Sequence, residues 1–415
     1  MPTKNSANPT AIELFAGVGG FRLALEKQGW LVNWSNQWEP STKSQHASSC
    51  YIKNFGDENH FNEDINVIVE KILSKELTRP KADLIVGGFP CQDYSVAKAL
   101  RSSRGLKGKK GVLWWPLLSF IEIVKPKYVL LENVDRLLKS PVNQPGRDFA
   151  IILKTLSDLG YFVEWRVINS ADYGFPQRRK RTFILASMKK FKITNSIEFI
   201  TRKSILSKAL KCKEITEISG FELLDEPWQI SKYFSKNGKR SPFKSAGYFD
   251  GQKVYTVDVE SISLDKKFTL RNILLPDSKV DEEFWIPKNQ IAAWRYQKGS
   301  KTIPRTSKSG HKYLYAEGSM SFPDDVNKPS RTILTAEGGA SPSRFRHVIK
   351  TLKGFRRLTP IELERLNGFP DNWTKFGDQG EEFSSNRRSF FMGNALVVGI
   401  VEKIAKELFD STRIH

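Results

Sequence analysis

Short apolar runs alternate with stretches of helical periodicity through the first half of the chain. Apolar runs between turn signals predict buried strands, and apolar residues three and four positions apart predict helices. Strands are predicted at 11–15, 32–37, 83–89, 128–133, 163–170 and 181–187. Helices are predicted between them at 21–28, 45–54, 67–73, 113–124 and 148–159. This alternation predicts an α/β fold, a doubly wound sheet with helices on both faces.

The pattern changes after residue 188. Residues 189–350 carry scattered aromatic, lysine and serine residues without strand–helix alternation, which indicates a second, smaller domain of mixed and irregular structure. Regular patterning returns in a helix predicted at 359–367, with proline in its first turn, and in a last helix predicted at 395–408. Three regions are therefore predicted: 1–188, 189–350, and 351–415, whose last helix returns to the first region.

The composition predicts a folded protein of the cytosol. The 415 residues are 39% hydrophobic and 27% charged, which is typical of globular proteins. Apolar runs long enough to span a membrane do not occur, and residues 1–10 lack the apolar core of a signal peptide. The three cysteines, Cys50, Cys91 and Cys212, match neither a disulfide framework nor a zinc-binding spacing. We therefore expect neither disulfides nor a metal.

The formal net charge of +21 points to a polyanionic partner. Two segments concentrate this charge, because residues 98–110 and 295–312 each carry six lysines and arginines and no acidic residue. Such segments are typical of contacts to nucleic-acid phosphates. A basic surface without a partner is the alternative interpretation.

Candidate catalytic groups lie at the ends of the predicted strands. Gly88-Phe89-Pro90-Cys91 follows one strand, Glu132 ends the next, and Arg179 and Arg181 flank the start of a later one. Open α/β sheets place their ligands at the carboxyl ends of their strands. A thiol, a carboxylate and guanidinium groups suit nucleophilic attack on a polarised ring. The alternatives are an inert buried cysteine and a purely structural ion pair.

A glycine-containing loop follows the first predicted strand, in Glu13-Leu14-Phe15-Ala16-Gly17-Val18-Gly19-Gly20. Its glycines permit a tight turn and close approach of a ligand, but their spacing is a poor match to the dinucleotide fingerprint. After the second strand, Gln37 could hold ribose hydroxyls and Trp38 could stack on adenine. Asp64 could complete such a pocket or cap a helix.

Six segments, in this order, resemble the DNA (cytosine-5) methyltransferases of the bacterial restriction–modification type: FAGVGG, GGFPCQDYS, ENV, QRRKR, RRLTPIELERLNGFPDNW and GNALVVGIVEKI. The resemblance covers 11 to about 187 and 356 to about 404, with a long unmatched insert between these parts. It implies sequence-specific DNA cytosine-5 methylation with S-adenosylmethionine as cofactor, and a target-recognition domain at 189–350.

The resemblance also implies roles for individual residues. Cys91 would add to C6 of the target cytosine, and Glu132 would engage N3 and the exocyclic amine. Arg181 would contact O2 of the base, with Arg179 supporting the site. The residues implied to bind the cofactor are Phe15, Gly17, Val18, Gly20, Gln37, Trp38, Asp64, Ile65, Pro90, Leu113, Asn394 and Ala395. Those implied to bind DNA are Ser95, Arg101 and Arg104.

Family chemistry of this kind requires the target base to leave the duplex, and the basic segment 98–110 is expected to close over the DNA. The implied partner is double-stranded DNA, the cofactor needs no metal, and a monomer is expected. A cognate restriction endonuclease would act separately, in the cytoplasm of a bacterium where the enzyme associates with the nucleoid. The bases that are read are expected to meet 295–312 and 341–347.

Three residues depart from the pattern of the family. Glu13 stands where aspartate is usual, Gln37 stands where a ribose-binding acid is usual, and Val397 stands where proline is common. Glu39, two residues beyond Gln37, is a candidate substitute for that acid. A transfer-RNA methyltransferase and an inactive DNA- or cofactor-binding protein are the alternative functions, and the long insert favours DNA over RNA.

Overall fold

The computed structural model describes residues 8–89, 113–189, 191–236, 238–262, 267–307 and 310–413. Five residues with predicted roles lie outside the described residues: Pro90, Cys91, Ser95, Arg101 and Arg104.

Sixteen strands and twelve α-helices occur in the described part of the chain. The strands are β1 (Thr10–Leu14), β2 (Leu31–Asn36), β3 (His60–Phe61), β4 (Leu84–Gly88), β5 (Tyr128–Val134), β6 (Phe162–Asn169), β7 (Lys180–Ser187), β8 (Cys212–Glu214), β9 (Ser219–Glu222), β10 (Ala246–Phe249), β11 (Lys253–Val257), β12 (Val259–Ser261), β13 (Lys301–Thr306), β14 (Lys312–Glu317), β15 (Val348–Lys350) and β16 (Phe355–Arg357). The helices are α1 (Gly20–Glu26), α2 (His46–Phe55), α3 (Ile65–Leu73), α4 (Trp114–Val124), α5 (Arg147–Asp158), α6 (Ser196–Glu198), α7 (Ile205–Ala209), α8 (Pro227–Tyr233), α9 (Ile291–Lys298), α10 (Pro360–Asn367), α11 (Ser385–Asn394) and α12 (Val398–Arg413).

A ten-stranded sheet forms the centre of the molecule, in the order β3-β2-β1-β4-β5-β7-β6-β10-β11-β9. Strands β1 to β5 are parallel, whereas β7 runs antiparallel between β5 and β6. Each of the six predicted strands overlaps an observed one, with ends shifted by at most one residue. Because β7 is antiparallel, its first residues lie beside the last residues of β5.

Helices cover both faces of the sheet, so the predicted fold class is confirmed. Alternate residues of the central strands enter different cores: Ile12 and Ile85 face α3, α4 and α5, whereas Ala11 and Val86 face α1, α10 and α12. Burial on both faces explains why these strands read as continuous apolar runs rather than alternating ones.

The main sheet continues beyond residue 188. Strand β10 pairs antiparallel with β6, β11 pairs with β10, and β9 pairs with β11. Three short strands from the region predicted to be a separate domain therefore cover the edge that β6 would otherwise expose, an arrangement that protects a sheet from unwanted pairing. The end of the first predicted region does not coincide with the end of its sheet.

The C-terminal helix packs against the first helix. Trp30 Nε1 donates a hydrogen bond to the carbonyl of Ala405 at 3.0 Å, and Lys27 Nζ lies 2.7 Å from a carboxylate oxygen of Glu402. The prediction of a helix from residue 395 is wrong at its start, because the chain is extended at Ala395 and α12 begins only at Val398. No helix among the described residues is long and apolar enough to cross a membrane.

Candidate active site

An ion pair lies at the carboxyl edge of the parallel strands. Glu132 of β5 is opposite Gly88 of β4, and Arg181 of β7 is opposite Val134 of β5. This register brings the Arg181 Nε to 2.7 Å from the Glu132 Oε1, with both side chains partly exposed. A carboxylate at a strand end avoids the cost of an unpaired charge when a guanidinium lies this close. The structure therefore brings two of the predicted catalytic residues together.

The chain that leads to Cys91 is anchored beside this pair. Asn133 Nδ2 donates to the carbonyl of Phe89 at 3.0 Å, and the buried ring of Phe89 packs against Trp114 with ring centroids 5.7 Å apart. Phe89 is the last described residue before Pro90 and Cys91. The sequence interpretation did not single out this role of Asn133, although it lies next to Glu132 in the ENV segment.

Arg179 occupies a different place from Arg181. It precedes β7 and is only 3% exposed, whereas Arg181 lies within β7 and is partly exposed. Its Nη1 donates to the carbonyl of Ile333 at 3.1 Å and its Nη2 to the carbonyl of Gly393 at 3.0 Å. Burial lowers the pKa of Arg179 to about 9, and the charge on Arg181 adds to this effect. Arg179 thus remains charged at neutral pH and ties three distant segments together.

The loop after β1 has the backbone conformation that its glycines predict. Phe15 has φ 53° and Gly17 has φ 56°, both in the left-handed region. A Cβ atom at Gly17 would have no neighbour within 4 Å, so this part of the loop is open to a ligand. At Gly20, by contrast, a Cβ would lie 3.2 Å from the Phe369 ring and 3.3 Å from Leu396. The loop therefore packs closely against the segment that follows Asn394 and Ala395.

Gln37 lies at this loop and contacts its backbone. Its Oε1 accepts a hydrogen bond from Gly17 N at 2.7 Å, and Asn62 Nδ2 donates to the Gln37 carbonyl at 2.6 Å. Trp38, at 39% exposure, offers a ring to a ligand. Glu39 is engaged elsewhere, because its Oε2 accepts from Ala47 N at 3.1 Å at the start of α2. The expectation that Glu39 could replace the missing ribose-binding acid therefore has no support in its contacts.

The remaining predicted cofactor residues differ in their exposure. Asp64 caps α3, since its Oδ1 accepts from Asn66 N at 2.9 Å, and Ile65 is buried in the core beneath it. Val18 is also buried, and its carbonyl accepts from the indole of Trp373 at 2.8 Å. Three further predicted residues are exposed or half-buried: Leu113, Asn394 and Ala395.

Glu13 lies beneath the loop and is fully buried. Its Oε1 accepts from Phe21 N at 3.1 Å in the first turn of α1, whereas its Oε2 has no hydrogen-bond partner among the described residues. Burial raises the pKa of Glu13 to about 8, although Arg22 and Tyr51 oppose this shift. The carboxyl group is thus mostly protonated at neutral pH.

Beside Glu13 lies a polar cluster that the sequence did not reveal. Tyr51 stacks on His60 with ring centroids 4.5 Å apart and accepts from Arg22 Nη1 at 3.3 Å. Both ring nitrogens of His60 lie 2.8 Å from serine hydroxyls, those of Ser35 and Ser48. Burial lowers the pKa of His60 to about 4, so the ring is neutral. These residues come from separate elements, and no spacing in the sequence links them.

An exposed two-stranded ribbon, β13–β14, begins in the second basic segment and continues to Glu317. The Arg305 guanidinium stacks on the Tyr315 ring at 3.9 Å from its centroid, and the neighbouring Leu314 is 71% exposed. Between the ribbon and the segment 342–345 is a cleft of about 330 Å³. Its lining includes Gln297, Lys301, Ile303, Arg305, Arg344 and Phe345.

The sheet order and the helices on both faces of the sheet define a doubly wound α/β fold. Within that class, residues 10–410 match the family model for the C-5 cytosine-specific DNA methylases, and the chain belongs to this family. It is a DNA cytosine-5 methyltransferase, as the order of its motifs predicted.

A curated relative agrees with this assignment, and a solved structure agrees with the fold. The chain is 43% identical over 409 residues to the type II methyltransferase M.Sau3AI of Staphylococcus aureus, covering 96% of this chain and 94% of the relative. It is 24% identical over 400 residues to M.HhaI of Haemophilus parahaemolyticus, with 96% and 94% covered. The S. pombe Dnmt2 methyltransferase superposes with a TM-score of 0.58 at 15% identity, over 98% of this chain and 99% of that one, which is a similarity of fold alone.

Proposed function

We propose that this enzyme methylates C5 of one cytosine within a specific sequence of double-stranded DNA, with S-adenosylmethionine as methyl donor. We further propose that it modifies host DNA in a restriction–modification system, since the Staphylococcus aureus relative is named a type II methyltransferase. The observation that carries the proposed chemistry is the Glu132–Arg181 pair at the strand edge next to Phe89, which precedes Cys91 by two residues in the sequence.

In this mechanism the thiolate of Cys91 forms a bond to C6 of a cytosine that has left the duplex. Glu132 accepts a hydrogen bond from the exocyclic amine and delivers a proton to N3, so that the electron pair brought in by the thiolate makes C5 nucleophilic. After C5 has gained the methyl group, loss of its proton and breakage of the C6–sulfur bond restore the aromatic ring. Unpairing the base costs a few kcal/mol, which binding of the flipped base must offset.

The two arginines act differently in this proposal. Arg181 orients the Glu132 carboxylate through the 2.7 Å contact and reaches O2 of the base. Arg179 is a positioning residue, because its guanidinium holds the carbonyls of Ile333 and Gly393 and is too buried to meet the substrate.

The cofactor site is proposed for the open side of the loop after β1. The residues there fit S-adenosylmethionine, because Gly17 leaves room for close approach and the exposed ring of Trp38 can stack on adenine. Gln37 would exchange its bond to Gly17 N for one to the ribose. The cofactor supplies an electrophilic methyl group. Asn394 and Ala395 would close the pocket from the other side.

The β13–β14 ribbon is our candidate for reading the DNA sequence, within the target-recognition region proposed for 189–350. A two-stranded ribbon fits the major groove, and arginine is the side chain that most often contacts guanine there. Arg305 is stacked on Tyr315 and is therefore pre-oriented, while Arg344 and Phe345 lie across the cleft from it. The length of the recognition region also favours DNA over transfer RNA as the substrate.

Covalent trapping tests the proposed chemistry. Bisulfite sequencing of DNA from a host that expresses the enzyme identifies the methylated cytosine. A duplex with 5-fluorocytosine at that position, incubated with S-adenosylmethionine, should become cross-linked, because fluorine replaces the proton that must leave. Cys91→Ser should give no cross-link. Cys212→Ala, which removes a buried thiol, should cross-link like the unmodified enzyme.

Two results would contradict the proposal. One is an enzyme that methylates DNA yet leaves the fluorinated duplex free. The other is a cross-link that persists in Cys91→Ser. A transfer RNA incubated in parallel with labelled cofactor should remain unlabelled, and labelling of the RNA alone would move the substrate class from DNA to RNA.

A further inference from the structure

Three buried polar side chains form a chain of hydrogen bonds between the proposed recognition region and the catalytic edge. The Ser330 hydroxyl lies 3.0 Å from Nε2 of His347, and Nδ1 of the same ring lies 3.0 Å from Oε1 of Glu337. All three residues are buried. Buried polar groups are costly when unpaired, so a hydrogen-bonded chain of this kind specifies one arrangement of the segments that it joins.

The residue types are those of a nucleophilic triad, but the surroundings exclude that role. The Ser330 hydroxyl also lies 2.7 Å from the carbonyl of Arg331, and its burial leaves no approach for a substrate. The function of this chain must therefore lie in what it holds in place.

One end of the Ser330–His347–Glu337 hydrogen-bonded chain holds the segment that precedes β7. Ser330 N donates to the carbonyl of Pro176 at 2.7 Å, and Arg178 N donates to the carbonyl of Ser330 at 2.8 Å. Gln177 adds a side-chain contact, since its Oε1 accepts from Ile333 N at 3.1 Å. These bonds fix the backbone of residues 176–178, which leads directly to Arg179 and Arg181.

Gln177 and Arg179 extend the contact to the C-terminal part of the chain. Gln177 Nε2 donates to Oδ1 of Asn367 at 2.7 Å, and Arg179 Nη2 donates to the carbonyl of Gly393. The segment before β7 is therefore held from both sides.

The other end of the hydrogen-bonded chain holds the basic segment 344–347. His347 N donates to Glu337 Oε1 at 2.6 Å, and Val348 N donates to Asp324 Oδ2 at 2.9 Å. Arg331 Nη2 and Lys298 Nζ both donate to the carbonyl of Arg346, at 3.2 and 2.6 Å. Buried and half-buried side chains thus hold the backbone at Arg346, His347 and Val348, while Arg344 and Phe345 line the cleft beside the ribbon.

We propose that Ser330, His347 and Glu337 are positioning residues that couple recognition of the DNA sequence to the setting of the Glu132–Arg181 pair. This inference rests on the proposed function. A correct sequence would fix 344–347 against the DNA, and the hydrogen-bonded chain would pass that constraint to the start of β7. A wrong DNA sequence would leave Arg181 less well placed. The enzyme would then reject that DNA in the chemical step as well as in binding.

Steady-state kinetics on two duplexes test the coupling. One carries the sequence identified by bisulfite sequencing, and the other differs from it by one base pair outside the target cytosine. The unmodified enzyme should have a higher kcat on the first duplex. In Ser330→Ala, kcat on the correct duplex should fall about tenfold, while kcat on the altered duplex and KM for DNA stay within about twofold, as expected for a coupling of typical size.

Two further variants serve as rescue and control. Ser330→Thr keeps the hydroxyl and should restore most of the preference in kcat. Ser207→Ala removes a serine hydroxyl of similar burial in α7, which donates to the carbonyl of Ser204 and has no contact with Ser330, His347 or Glu337 among the described residues. It should leave the ratio of kcat values unchanged. Thermal unfolding of each variant shows that the comparison is made on folded protein.

Three outcomes would overturn the coupling. Ser330→Ala could lower kcat equally on both duplexes, as a general structural defect would. It could leave both kcat values unchanged, or it could raise KM alone, which would place the contact in DNA binding. An unmodified enzyme that methylates no cytosine in DNA would instead overturn the proposed function, and the coupling with it.

Discussion

Replacing Glu13 by glutamine tests whether the carboxyl group beneath the cofactor loop is protonated in the folded enzyme. Burial raises its pKa from the ordinary value of 4.5 to about 8. Glutamine keeps an oxygen that can accept from Phe21 N, and it places an amide where Glu13 Oε2 now lies without a partner. The substitution therefore conserves the shape of the side chain and removes its ability to ionise.

The direction of the effect follows from the two pKa values. Below pH 4.5 the carboxyl is protonated in both the folded and the unfolded chain, so the ionisation of Glu13 does not yet lower the free energy of unfolding. As the pH rises, the unfolded chain releases the proton while the folded chain retains it, and stability is lost until the folded carboxyl also ionises near pH 8. Each pH unit in this window costs about 1.4 kcal/mol, so the enzyme should lose about 4 kcal/mol relative to Glu13→Gln between pH 5 and pH 8.

Urea unfolding followed by tryptophan fluorescence measures this difference. Both proteins are unfolded at each of several pH values from 5 to 8, and the difference between their free energies of unfolding is plotted against pH. Glu70→Gln, at an exposed carboxylate of α3, provides a control whose difference should stay flat. A difference for Glu13→Gln that changed by less than about 1 kcal/mol over this range would refute the reasoning, since it would mean that the buried carboxyl ionises as readily as a free one.

Three other substitutions have distinct expected results. Arg181→Ala should lower the single-turnover methylation rate by about 100-fold, because the carboxylate of Glu132 loses its partner at 2.7 Å, and an unchanged rate would remove Arg181 from the mechanism. Asp64→Ala should lower the free energy of unfolding by about 1 kcal/mol through loss of the α3 cap, measured by urea unfolding; no loss would mean that the cap contributes nothing. Arg305→Ala should relax the preference for one base pair by about 1–3 kcal/mol in bisulfite profiles of a site library. Uniform weakening at all sites would instead assign Arg305 to the phosphates.

Local sequence determined the elements of the first half of the chain. Six strands and five helices lie where the apolar pattern predicted them, because strands buried on both faces and amphipathic helices each impose a simple period on the sequence. The start of α10 was also readable, since the Thr359 hydroxyl and the Glu362 carboxylate cap each other's backbone within one turn. The motifs identified Glu132 and Arg181 before their contact was known, whereas the catalytic role of Cys91 stays a prediction.

Tertiary structure alone decided the orientation of β7, the extension of the sheet by β9–β11, and the distant backbone partners of Arg179. These features depend on contacts between residues far apart in the chain, such as Arg179 with Ile333 and Gly393, 154 and 214 positions away. The sequence shows periodicity within an element but carries no local signal for which distant backbone a buried guanidinium will reach. For the same reason, the Ser330–His347–Glu337 chain emerged only when the packing of three separate segments placed its polar groups in reach of one another.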